Sequence, residues 1–253
     1  MKNSLLSGRN ICKTFLQSGI AAQVLDGIDI DIYERDFTVI MGASGAGKST
    51  LLYALSGMDE ITSGEIIFKG QRMDGLTEKK MAQLRAKEFG FVFQQTHLVS
   101  NLTLFENVAV AGYAAKAGTV REIKETAAAL LTKMHAEGAK DRLPSQVSGG
   151  EAQRAAIARA MIGNPGLLFA DEPTGALNKS NSEEVMALLT ELNHSGQSIL
   201  MVTHDIKAAM HGNRILYLED GKILDELSLS PYGQEDIRAR ENEVSRWLAS
   251  LQW

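Results

Sequence analysis

The chain has 253 residues, 44% of them hydrophobic and 23% charged, with a formal net charge of -5. That length holds one large domain or a core with an inserted lobe, and the ordinary composition predicts a globular protein with an ample core. The acidic balance disfavours broad binding to a phosphate backbone, so nucleic acid is not an expected partner. The single cysteine, Cys12, excludes an internal disulfide and fits a reducing compartment. No run approaches the ~18 apolar residues that cross a bilayer. The polar start Met1-Lys2-Asn3-Ser4 does not read as a signal peptide. A cytoplasmic location is expected, with any membrane role reached through a partner.

Residues 5–40 alternate apolar and polar, with turns expected at Ser18-Gly19 and Asp26-Gly27. Val24 to Ile32 has the period of two of half-buried strands. Cys12 falls in this region as a packing residue. Phe15, near the end of the first strand, is either a platform for a base or a core residue. Phe37-Thr38-Val39-Ile40-Met41 is a short apolar, β-branched run that predicts a buried strand.

After it comes Gly42-Ala43-Ser44-Gly45-Ala46-Gly47-Lys48-Ser49-Thr50, which fits the P-loop pattern G-x-x-x-x-G-K-[ST]. Leu51 to Leu55 then reads as a helix. Glycines let backbone N–H groups close around phosphates with no Cβ in the way. The helix start adds free donors and the positive end of its dipole. Lys48 supplies a charge for the β- and γ-phosphates, and Ser49 is placed to ligate Mg²⁺.

Ile66 to Gly70 predicts a further strand, which suggests an antiparallel sheet beside the P-loop strand. A helix is expected over Thr77 to Glu88, then a strand over Phe89 to Phe93 ending in the amides Gln94 and Gln95. Helical spacing continues over Thr103 to Ala115, Thr119 to Glu137 and Gly150 to Ile162, punctuated by Gly118 and Gly138. Leu167 to Ala170 is another buried strand, followed by a helix over about 180–194 and a strand from Ser198 to Val202. Glu219-Asp220-Gly221 is a hairpin signal. Glu235 to Trp253 reads as a final helix that covers the core or docks on a neighbour. Strands alternating with helices imply a mainly parallel sheet, with ligands at the carboxyl ends of its strands.

Three strand ends carry polar groups. Asp171-Glu172 follows the Leu167 to Ala170 strand, the pairing used in phosphate-bond hydrolysis: one carboxylate for the metal, one to polarise water. Gln94 offers an amide oxygen as a magnesium contact or is simply solvated. His204, after Ile199 to Thr203, either senses a γ-phosphate or is structural. Ser148-Gly149-Gly150-Glu151 makes a second anion-binding helix start. One P-loop suffices for one ATP, so this second start is expected to bind the ATP held by another copy.

With the P-loop, Gln94, Ser148 to Arg154, Asp171-Glu172-Pro173-Thr174 and Thr203-His204-Asp205 in this order, the chain resembles the ATP-binding subunits of ABC transporters over about residues 5–225. Met41 to Gly45, Phe91 to Gln94 and Phe169 to Leu177 resemble the branch of macrolide exporters, lipoprotein-release systems and antimicrobial-peptide resistance transporters. The resemblance implies an α/β fold: a P-loop NTPase core with a mainly parallel sheet, an antiparallel β subdomain and an inserted helical subdomain. The core with its β subdomain is expected at about 1–94 and 163–253, and the helical signature lobe at about 95–162.

The resemblance also implies a head-to-tail dimer around two ATP. Each nucleotide lies between the P-loop of one copy and Ser148-Gly149-Gly150 of the other. Glu172 is the catalytic base and His204 the γ-phosphate switch. Lys48 holds the phosphates, and Ser49, Gln94 and Asp171 hold Mg²⁺. A membrane permease docks on the helical lobe near Gln94, so the chain is peripheral at the cytoplasmic face. Three residues depart from the family pattern. Phe15 stands where tyrosine is common and keeps the stacking face without the hydroxyl. Glu151 replaces glutamine, and Asn178 replaces aspartate. The alternatives are an ATPase driving a non-transporting membrane machine and a soluble ATPase of the same type.

Overall fold

The computed structural model describes residues 3–17, 20–233, 237–251 and 253, which form two compact units, 1–77 with 196–253, and 78–195. In the first unit, β1 (Ser4–Gln17) and β2 (Ile20–Tyr33) form a long antiparallel pair. Two further strands, β4 (Ser63–Phe68) and β5 (Gln71–Arg72), extend it in the order β2-β1-β4-β5. The antiparallel sheet expected from the sequence is therefore present. Asp26-Gly27, however, is not a turn. It lies inside β2, where the register with β1 shifts between the pairs Ile11↔Ile28 and Lys13↔Leu25. Gly27 takes a left-handed φ of 66° and absorbs the extra residue as a bulge. The expected turn at Ser18-Gly19 lies outside the described residues.

The second sheet of this unit explains the apolar runs. β3 (Phe37–Met41) lies between β8 (Ser198–Val202) and β9 (Arg214–Glu219), parallel to both. Every residue of β3 and β8 is buried, as expected of parallel strands covered on both faces. β10 (Lys222–Ser228) runs antiparallel to β9. Asp220 and Gly221, with φ of 46° and 73°, form the tight turn between them. α1 (Lys48–Leu55) follows β3, and α7 (Ile206–Ala209) follows β8.

The C-terminal helix α8 (Ile237–Ser250) buries Arg240, Val244 and Leu248 on one stripe, so it covers its own unit. The Arg240 guanidinium donates to the carbonyls of Met210 (2.5 Å), Gly212 (2.6 Å) and Ser230 (2.8 Å). It also lies over the Tyr232 ring, which stacks on His211 with centroids 4.0 Å apart. Trp247 donates its indole N–H to Asp225 and packs edge-on against Tyr217. The part of the expected final helix at Glu235 and Asp236 lies outside the described residues.

The second unit opens with α2 (Glu78–Glu88) and contains the parallel pair β6 (Phe89–Phe93) and β7 (Leu167–Asp171), in register from Phe89↔Leu167 to Phe93↔Asp171. Phe91 stacks on Phe169 (5.5 Å) and Phe89 meets it edge-on (5.1 Å), so aromatic pairs join the two strands. Around them lie α3 (Leu104–Ala115), α4 (Val120–Lys133), α5 (Gly149–Met161) and α6 (Lys179–His194). Three of these helices start with a capping box: Thr103 with Glu106, Thr119 with Glu122, and Ser148 with Glu151. α4 is shorter than its periodicity predicts. It stops at Lys133 because His135 turns left-handed at φ 53°, and the Ala136 N–H closes back on the Leu131 carbonyl.

Candidate functional site

The P-loop leaves the carboxyl end of β3 beside the end of β8, since Ile40 pairs with Val202 and the Thr203 N–H donates to the Ile40 carbonyl at 3.1 Å. Gly42 is required by contact: a Cβ there would lie 2.1 Å from the Leu218 carbonyl oxygen. Gly47 is left-handed at φ 101°, packs against Val24 of β2, and starts α1 with no side-chain cap. Ala43, Ser44 and Gly45 are exposed at the tip, Ala46 is half-buried, and Gly45 is left-handed at φ 85°. The buried Lys48 ammonium donates to the carbonyls of Gly42 (2.8 Å) and Ala43 (2.9 Å), so its charge sits inside the loop. Ser49 and Thr50 occupy the first turn of α1, half-buried. Left-handed glycines, an uncapped helix start and an enclosed cation fit a nucleotide phosphate.

His204 leaves β8 exposed, ahead of Asp205, which caps α7 by accepting from the Lys207 N–H. The structure brings this histidine and the P-loop to neighbouring strand ends. Phe15 is 42% exposed and so is not a core residue. It pairs with Ala22, two residues before the Val24 that touches Gly47. The Lys13 ammonium lies 4.8 Å from the ring centroid and is itself tied to Asp59 at 2.7 Å.

In the second unit the register Phe93↔Asp171 places Gln94 and Glu172 next to each other in sequence step, just past the paired strand ends. Asp171 is buried and Gln94 exposed. Glu172 has a left-handed backbone, φ 47°, uncommon for a side chain of its kind, and its carbonyl accepts from the Gly175 N–H at 3.0 Å. A Cβ on Gly175 would come within 2.9 Å of the Gln94 amide nitrogen, so the Gln94 side chain lies against this turn.

Ser148 caps α5. Its hydroxyl accepts from the Glu151 N–H (3.2 Å) and donates to the Glu151 carboxylate (2.7 Å), which also accepts from the Ser148 N–H (2.8 Å). These hydrogen bonds from Ser148, with the nearby charges of Arg142 and Arg154, hold the Glu151 carboxyl below its usual range. Gly149 is exposed at the helix start. Gly150 is buried under Asn181, whose side-chain oxygen would lie 2.3 Å from a Cβ there. Asn178 caps α6 by accepting from the Asn181 N–H at 3.0 Å, a role that aspartate fills equally well.

Sequence reasoning missed Gln153, Arg159 and Asn181. Gln153 donates to the Phe93 and Pro173 carbonyls (2.9 and 2.8 Å), and Arg159 to those of Thr96 and His97 (2.7 Å each). For Gln153 and Arg159, partners 20 to 63 residues away leave no local signal, apart from the Gln-Arg that follows Glu151 and Ala152 in the sequence. The capping boxes, by contrast, were readable as [ST]-x-x-E.

This geometry defines a nucleotide-binding α/β cassette of the P-loop class. The family model for ABC transporters matches residues 25–175. The chain is 42% identical over 247 residues to the macrolide export ATP-binding/permease protein MacB of Wolinella succinogenes, covering 96% of this chain and 37% of that protein. It is 36% identical over 253 residues to MacB of Pasteurella multocida, covering 100% of this chain and 38% of that protein. It therefore spans little more than a third of the length of these relatives. The dimeric post-hydrolysis structure of the ATP-binding cassette MJ0796 bound to ADP and Pi is similar at a TM-score of 0.83 and 35% identity. It covers 90% of this chain and 100% of that one. The chain belongs to the ABC transporter family, as one of its ATP-binding ATPase cassettes.

Proposed function

We propose that two copies of this chain close head to tail around two ATP and drive a separate membrane permease, in export or extraction of peptide, lipid or drug-like substrates. The observation that carries the nucleotide reading is the Lys48 ammonium enclosed by a loop of left-handed glycines at an uncapped helix start. The dimer reading is supported by the pairing of cassettes in MJ0796, and the export reading by the two MacB relatives. The proposed subunit is peripheral, at the cytoplasmic face; no helix among the described residues is long and apolar enough to cross a membrane. The helical segment at about 95–162 is the proposed docking lobe; Val99, Val110 and Tyr113 are apolar and exposed there.

Lys48 neutralises phosphate charge, and Phe15 stacks on the base. Ser49, Gln94 and Asp171 are the residues that would hold Mg²⁺; each offers an oxygen donor, the type that ion takes. Among the described residues no cluster of three or more His, Cys, Asp or Glu would hold a metal alone. Held by those residues, Mg²⁺ would supply charge neutralisation to the nucleotide phosphates. Glu172 accepts a proton from the attacking water, and His204 contacts the γ-phosphate. Ser148, Gly149, Gly150 and Glu151 of the second copy cover the nucleotide from the far side.

Glu172→Gln tests this reading. Phosphate release is expected to fall by roughly a hundredfold or more while an ATP-bound dimer accumulates on gel filtration. Turnover at the native rate would show that Glu172 is not the base.

A further inference from the structure

Gln153 is only 1% exposed, and both bonds from its amide nitrogen go to main-chain carbonyls, Phe93 at 2.9 Å and Pro173 at 2.8 Å. Both partners can only accept, so the orientation of the amide is fixed. Its oxygen then faces the interior and finds no donor among the described residues. A buried acceptor without a donor is unfavourable. What holds the side chain in place is therefore the pair of bonds it donates.

Those two carbonyls flank the catalytic groups. The Phe93 carbonyl belongs to the peptide that Gln94 completes, and Pro173 directly follows Glu172. Gln153 stands on α5, little more than one turn after Ser148. One helix thus carries the Ser148 start at its tip and, one turn later, grips the ends of both β6 and β7. Arg159, further along the same helix, holds Thr96 and His97 and so fastens only the loop after Gln94.

We propose that Gln153 is a positioning residue that couples the two nucleotide sites of the dimer. Within one subunit, Ser148 to Gly150 serve one site while Gln94 and Glu172 serve the other. The Gln153 amide makes a displacement of the first a displacement of the second. This rests on the head-to-tail reading above and adds the route by which one site senses the other.

The test uses the full chain and measures kcat, KM for ATP, the Hill coefficient and thermal stability. Gln153→Leu keeps size and removes both donors. Its kcat is expected to fall about tenfold, and its Hill coefficient to drop to about 1 from a native value above 1. Affinity of the isolated subunit for a fluorescent ATP analogue stays within about twofold. Native kcat and cooperativity in this variant overturn the proposal, as does a loss of thermal stability alone. A native Hill coefficient of about 1 also overturns it.

Should the leucine variant not fold, Gln153→Glu decides. Its carboxylate cannot donate to carbonyls, but its protonated form returns one donor. Its kcat relative to native therefore rises about threefold between about pH 8 and pH 6. A flat ratio overturns the proposal. Glu172→Gln measured alongside separates the two failures. If it turns over at the native rate, the catalytic reading above is wrong. If it is inert while Gln153→Leu behaves as native, only the coupling is wrong.

Discussion

Helix α1 begins at Gly47, whose left-handed backbone brings no side chain to the first turn, and that turn holds no acid. Helix α5 begins at Ser148, with a complete capping box and Glu151 in its first turn. Both starts carry the N–H groups that attract phosphate. The first leaves them uncapped and places the Lys48 cation beside them. The second satisfies part of its own turn and adds a negative charge. The difference teaches that the two starts have different jobs. α1 leaves its first turn open beside a cation, whereas α5 closes its own turn, as the proposed head-to-tail reading requires of a surface that meets nucleotide only in a second copy.

The sharpest way to break this comparison is at Lys48. Lys48→Ala is expected to reduce both ATP affinity and turnover by roughly a hundredfold, read by fluorescent nucleotide binding and phosphate release. Unchanged affinity would mean that the P-loop is not the primary site. Ser148→Ala is the next largest effect. It removes a helix cap, about 1 kcal/mol of stability, and lowers turnover about tenfold, while the isolated subunit binds nucleotide normally. Loss of monomer affinity would make the two starts equivalent and sink the distinction.

The smallest effect is set by pH. Glu151 is held below its usual range by the Ser148 hydrogen bonds, so its contribution is present above a pH of about 4.5 and disappears as pH falls through the lower folded value. Being near the surface, it contributes only a few tenths of a kcal/mol. Glu151→Gln is expected to flatten the acid limb of thermal stability slightly, and an identical limb would mean that the charge contributes nothing.

Much of the fold was legible because strong local patterns carry it. The buried runs of β3, β7 and β8 and the P-loop each announce themselves within ten residues. Asp26-Gly27 misled because a bulge and a turn call on the same residues for the same left-handed backbone. The end of α4 was misplaced because a histidine, His135, took the left-handed stop usually given to glycine. At the site, the residue types at Glu172 and Gln94 were visible, but the left-handed backbone of Glu172 was not. Gln153 was illegible for a plainer reason: its two partners lie 60 and 20 residues away, and only folding joins them.

The stacked pair of His211 and Tyr232 under Arg240 gives the C-terminal helix an acid-sensitive latch. Burial, and then the neighbouring guanidinium, push the imidazole down to about 4 from an ordinary 6.5, so it stays uncharged at neutral pH. Between those values the unfolded chain binds the proton more readily. Stability is thus full above about pH 6.5 and declines toward pH 4, by about 3 kcal/mol in all. Trp247, wedged between Tyr217 and Asp225, is expected to redden its emission over that interval as the tail loosens. A His211→Phe chain whose emission shifts at the same acidity would show that the latch lies elsewhere.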